Sequence, residues 1–285
     1  MWNAVSKLMK KRKQLRSADE AQTGGSPVKA FWESAGADIP SFFDAPSTRY
    51  YFGCERMLFE SCFGDLCGKK ILKTDLWDEA KNSRILNWAA AQGAKTYGLD
   101  ISLPIIREAK KFFGPPSRPR PFIACDVRRI GFQNESFDHV YSMGTVEHFA
   151  EHRQALLECF RVLRTGGTAV IGVPNKLDPF LRPLMVTVLN SLNLYAYGFE
   201  KSFSWRELEG LLRGCGFQVI GRTGILLMPG WLRMLDLLIW VSRPRLKFLT
   251  APLIFPFSWV YKKFPFLRRH GYLIACVVRK PEVGR

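Results

Sequence analysis

Three stretches of the chain, ILKTD, TYGLD and FIACD, each run from apolar residues into an aspartate: Asp75, Asp100 and Asp126. A fourth, HVYSMG, ends without an acid and is followed by Glu147 and His148. Carboxylates in such places can accept hydrogen bonds or attract a cation. An imidazole beside a carboxylate can take up or release a proton near neutral pH. Aspartate after a strand also caps the next helix, so one of the three would be ordinary. Three successive ones suggest a shared edge. The seven cysteines show no CxxC spacing, which fits reduced thiols better than a zinc module or a disulfide framework. His148 and His152 are four apart and could share a helix face. Without a third convincing ligand, no metal is expected.

The elements that must position these residues alternate. Strand-like KKILKTD, KTYGLD, PFIACD, SFDHVYSMG and TAVIGVPN are separated by helical patterns. Helices are expected over DEAKNSRILNWAAAQG, over LPIIREAKKFFG, and over EHFAEHRQALLECFRVLRTGG, where the two glycines would close the helix. A serine-capped helix SWRELEGLLRGCGF, a strand QVIGRTGILL and a last strand GYLIACVVRK follow. Such alternation predicts the α/β class, a parallel sheet with helices on both faces. The expected organisation is a basic tail and linker at 1–30, with the linker at 18–30, and a helical cover at 31–68. A main domain covers 69–285, with apolar insertions at about 176–201 and 229–269.

Ligands of open α/β sheets lie beyond the carboxyl ends of the strands. The first strand-to-helix turn, KTDLWDEA, carries no glycine, and Asp75 and Asp78 stand where a helix N-terminus would otherwise invite phosphate. A dinucleotide would be repelled there, which argues against a nicotinamide oxidoreductase. A cationic ligand without phosphate fits better. S-adenosylmethionine carries a sulfonium and an ammonium. Asp100 would meet its ribose hydroxyls and Asp126 its adenine amino group.

In order, YGLDIS, ACDVRRIGF, FDHVYSMGTVEHF and VLRTGGTAVIGVPN resemble the successive motifs of class I S-adenosylmethionine-dependent methyltransferases. They are most similar to the small-molecule, type 11 branch that includes the quinone-biosynthesis enzymes. The resemblance covers residues 69 to about 225. It implies a doubly wound, Rossmann-like, seven-stranded sheet whose last strand is antiparallel. It departs at the first turn, where the family has GxGxG and this chain has KTDLWDEAKN. The cofactor-binding residues expected are Lys73, Thr74, Asp75, Trp77, Asp100, Ile101, Asp126, Val127 and Met143. Asp75, with Thr74 or Lys73, would hold the amino-acid end, and Trp77 would cover the cofactor. The resemblance places Glu147 and His148 beside the reactive end, with His148 to orient or deprotonate an acceptor; a helix-start pair without chemical role is the alternative.

The 285 residues carry a formal net charge of +17 and are 47% hydrophobic. Basic residues crowd the first 16 positions, and after Met228 only Asp236 and Glu282 oppose them. Such a balance attracts an anionic partner. Trp2, Val5, Leu8, Met9 and Leu15 could form one face of a basic surface helix, with a disordered tail as the alternative. Apolar, aromatic and basic residues mix in the 229–269 insertion, which suits a membrane interface or a lid better than a span. The expected function is methyl transfer to a hydrophobic or lipid-linked small molecule. The protein would be cytoplasmic, peripheral on the inner face of an anionic membrane. A non-catalytic membrane scaffold of the same fold is the competing expectation. Nucleic acid fits this greasy insertion poorly.

Overall fold

The computed structural model describes residues 27–282 except 115–120, 193 and 196. The basic face read at Trp2–Leu15 lies outside the described residues. Helix α1 (Pro27–Asp38) begins inside the stretch expected to be linker, and α2 (Pro46–Phe63) completes the N-terminal cover. The main domain then runs β1 (Lys70–Lys73), α3 (Trp77–Lys81), α4 (Ile85–Ala91), β2 (Lys95–Asp100), α5 (Leu103–Phe112), β3 (Phe122–Ala124), β4 (Phe137–Met143), α6 (His152–Val162) and β5 (Leu163–Pro174). It closes with α7 (Arg182–Ser191), α8 (Trp205–Gly214), β6 (Gln218–Ile225), α9 (Gly230–Ser242), α10 (Lys247–Lys263) and β7 (Leu273–Arg279).

The seven strands form one sheet in the order β3-β2-β1-β4-β5-β7-β6. β7 pairs antiparallel with both β5 and β6, while β1 to β5 are parallel. The sheet is therefore the doubly wound, mostly parallel one expected. Strand order reverses between β1 and β4, which opens a crevice at their carboxyl ends. Every residue of β4 is buried. Its Val140 packs with Leu156 and Leu212 from α6 and α8, and its neighbour Tyr141 packs with Phe59 and Ile254 from α2 and α10. Successive strand residues face opposite layers, so both faces must be covered by helices.

Two expectations are corrected. The helix read over residues 78–93 is two helices, α3 and α4. The break falls at Arg84, whose φ of 59° is left-handed, and its guanidinium sits between the rings of Phe43 and Phe112 at 3.8 and 3.6 Å. The helix read over residues 147–167 is a short 3-10 turn at Val146–His148, a break, and then α6. Gly166 and Gly167 do not close it; they lie in β5, where the register with β4 shifts between Phe137 and His139. A Cβ on Gly167 would come within 2.8 Å of the Arg164 carbonyl and 2.9 Å of the Asp138 carbonyl. The glycines thus serve a bulge. Ser204 does cap α8, in a reciprocal box with Glu207.

Candidate active site

The β1 turn is built around a buried lysine. The Lys73 side chain is 0% exposed, and its Nζ donates to the Asp75 carbonyl at 3.1 Å, Asp75 Oδ1 at 2.9 Å and Asp78 Oδ2 at 3.3 Å. Burial opposes its charge, but the surrounding carboxylates hold its pKa above the ordinary lysine value. Burial raises Asp75, with repulsion from Asp78 adding to it and Lys73 opposing. Asp78 also accepts from Asn82 Nδ2 at 2.7 Å and the Tyr51 hydroxyl at 3.4 Å. Leu76 lies across Gly98 of β2, where a Cβ would come within 2.4 Å of Leu76 Cδ2. The neighbouring strand, not the turn, supplies the glycine that lets the chain pass closely.

Asp100 at the end of β2 is buried and accepts the Leu76 and Ser102 amides at 2.9 and 2.8 Å. Burial pushes its pKa up to about 7 despite those bonds. Asp126, past β3, is gripped by Arg128 at 2.7 Å, and Arg128 also reaches Glu151 at 2.9 Å. Burial alone would raise Asp126, yet the Arg128 bonds hold it below the usual range. Thr74 donates to Ser142 at 2.8 Å, and Thr145 donates to Asp75 at 3.1 Å, which ties the ends of β1 and β4 together.

His148 Nδ1 lies 2.8 Å from the Phe199 carbonyl. A carbonyl only accepts, so Nδ1 carries the proton and the neutral ring keeps its lone pair on Nε2. Burial lowers the His148 pKa. Glu147 is buried, its Oε1 is 3.8 Å from His148 Nε2, and its Oε2 has no partner among the described residues. Burial, then repulsion from Glu200, raises Glu147 well above the carboxylate range. Trp32 from α1 meets His148 edge to face at 4.8 Å and Trp77 at 5.8 Å. His152 begins α6 and turns its Nδ1 to the Val146 carbonyl at 2.7 Å, so the two histidines do not share a helix face. No group of three or more metal-ligating side chains occurs among the described residues.

One cleft collects almost all of these groups. Thr74, Asp75, Trp77, Asp100, Ile101, Asp126, Val127, Met143, Glu147 and His148 line it, and it encloses about 1400 Å³, part of it open to solvent. Lys73 is the exception: it lies beneath the wall and holds Asp75 and Asp78. Sequence reasoning missed Trp32 and Tyr51 from the cover, Arg182 and Glu200 from the first insertion, and Arg233 from the second. The aromatic cover and the interruptions in the alternation were the available signals.

Residues 80–171 match the family model for the methyltransferase domain. Over that stretch the chain is similar to a methyltransferase domain. Its match starts just past the glycine-free turn and ends in β5. The ubiquinone biosynthesis O-methyltransferase of Rhizobium rhizogenes is 27% identical over 143 residues, 49% of this chain and 58% of that protein. The aligned part thus spans little more than half of that relative's length. Among solved structures, an S-adenosylmethionine-dependent methyltransferase from Thermotoga maritima matches with a TM-score of 0.54 and 15% identity, covering 82% of this chain and 91% of that one. One from Mesorhizobium loti gives 0.53 and 15%, covering 79% and 97%. At such identity these likenesses concern the fold.

Proposed function

We propose that the protein is an S-adenosylmethionine-dependent methyltransferase acting on an oxygen of a hydrophobic, lipid-linked small molecule at a membrane surface. The observation that carries this is the convergence of Asp75, Asp100 and Asp126 with His148 on one cleft. The residues fit the cofactor: the acids lie on the wall where its cations and hydroxyls would find acceptors, and Glu147 Oε2 is buried there without a partner among the described residues. When bound, the cofactor would supply an electrophilic methyl group on sulfur. Asp100 would accept from the ribose and Asp126 from the adenine amino group. His148 would take the acceptor's hydroxyl proton on Nε2, held in that tautomer by the Phe199 carbonyl. Trp32 and Trp77 would exclude water, and alignment does the rest. The relative from Rhizobium rhizogenes is named for O-methylation in ubiquinone biosynthesis, which supports an oxygen on a quinone-like ring.

Calorimetric titration with S-adenosylmethionine tests the reading. Wild-type protein is expected to bind, and a folded Asp100→Ala variant to bind much more weakly. The scaffold reading has one observation in its favour: Arg128 already occupies the Asp126 carboxylate. Absence of binding at high protein concentration would put that reading first.

A further inference from the structure

Three guanidinium groups line the cleft: Arg128, Arg182 and Arg233. Two are committed. Arg128 holds Asp126 and Glu151. Arg182, 2% exposed, forks Glu200 through Nη1 at 2.5 Å and Nη2 at 2.9 Å, and lies 4.1 Å over the Tyr272 ring. Arg233 differs. Among the described residues it makes no ion pair; its described hydrogen bond runs from Nη1 to the Ser47 carbonyl at 3.4 Å. Asp236, on the same helix, is already satisfied by the Ser47 amide at 2.8 Å and the Thr250 hydroxyl at 2.5 Å. A partly buried guanidinium facing a cleft, with its fork open, is built for a planar anion.

The position of Arg233 says which anion. Its guanidinium lies 5.2 Å over the Tyr51 ring, and the Tyr51 hydroxyl donates to Asp78, which Lys73 joins to Asp75. One contact chain therefore runs from Arg233 to the acids of the β1 turn. An α-amino acid presents an ammonium and a carboxylate side by side. The turn offers acceptors for the ammonium and nothing for the carboxylate. It has no glycine amides to lay open, and Lys73 has given its three N–H donors to Asp75 and Asp78. Arg233 also stands in the first turn of α9, where the helix dipole adds positive potential.

We infer that Arg233 binds the carboxylate of the cofactor's amino-acid end and stands in for the glycine turn that this chain lacks. The assignment rests on the proposed cofactor and extends the site to a residue of the second insertion.

The test is calorimetric titration of the full chain with two ligands. S-adenosylhomocysteine has the amino-acid end; 5′-methylthioadenosine keeps the nucleoside and thioether without it. Arg233→Met is expected to weaken the first by roughly 10- to 100-fold, the range of a charge-assisted pair, and to leave the second unchanged. Arg233→Lys is expected to recover part of the loss. Equal S-adenosylhomocysteine affinity in wild type and Arg233→Met overturns the assignment. A loss shared by both ligands overturns it too, because the residue would then only support the fold. An unchanged cofactor affinity with a raised KM for an acidic acceptor gives Arg233 to the acceptor instead. Wild-type protein that binds neither ligand refutes the cofactor reading itself, and the assignment with it.

Discussion

At His148 the proton inventory is fixed by one neighbour. The Phe199 carbonyl takes Nδ1–H, burial lowers the pKa, and Nε2 is left as a base at neutral pH. A base with a depressed pKa stays deprotonated further into acid, so the acid limb of kcat should fall below the ordinary histidine value of about 6.5. With an alkyl-substituted catechol as acceptor, activity should hold from pH 8 to about 6.5 and drop only below that. His148→Ala should lower kcat about 10²-fold, the low end of general-base effects, and abolish that limb while leaving S-adenosylhomocysteine affinity intact. A variant that keeps both rate and limb would return His148 to a structural part. Residues that meet across the chain were the least legible in the sequence. Arg182 finds Glu200 and Arg233 finds Tyr51 only after the insertions fold back. Asp75, Asp100 and Asp126 were legible because each follows its own strand, and strand ends share an edge by construction.

The elements follow the same division. All seven strands could be read from the sequence, most plainly those of the parallel centre such as β4, since a doubly covered parallel strand is apolar along its length. The break between α3 and α4 could not. It depends on Arg84 being held by Phe43 and Phe112, one from the cover and one from the end of α5. The Gly166–Gly167 pair reads equally as a helix stop and as a bulge, and only the β4 register decides. The β1 turn combines both lessons: its acids were visible, whereas the role of Lys73 as their buried counter-ion was not. Removing one partner from a buried ionic cluster costs roughly 3–5 kcal/mol, because charge is left uncompensated. Lys73→Met should therefore lower stability by about that much in urea titration. Asp75 and Asp78 would also repel each other, so cofactor affinity should fall with it. A loss under ~1 kcal/mol, the scale of an exposed pair, would mean that Lys73 is not the counter-ion that holds the turn together.

For the molecule as a whole, charge and greasiness are concentrated together. Residues 237–281 hold nine Lys and Arg and no acid. On α10 the side chains of Phe248, Leu249, Leu253, Phe255 and Trp259 are exposed, as are Trp231, Leu235 and Leu238 on α9 and Phe266 beyond. Lys263 lies 4.7 Å over the Trp259 ring, an aromatic-and-cation pair of the kind that suits a headgroup layer. No helix among the described residues is long and apolar enough to cross a membrane. The cleft opens toward this face: Met234 both lines it and is exposed on α9 between Trp231 and Leu238. On the function proposed above, a lipid-linked acceptor would enter from this face. Vesicle co-sedimentation checks this. Binding is expected to vesicles containing phosphatidylglycerol and to weaken with salt, as surface electrostatics requires. Each basic residue near such a surface contributes about 1 kcal/mol. Reversing Lys262 and Lys263 to Glu should thus cost at least roughly 10- to 100-fold in partitioning, while Phe255→Ser with Trp259→Ser should weaken it at any salt. Equal partitioning to neutral vesicles, or none to either, would refute the surface and leave α10 as a lid packed on Tyr50 of α2 through its own Tyr261.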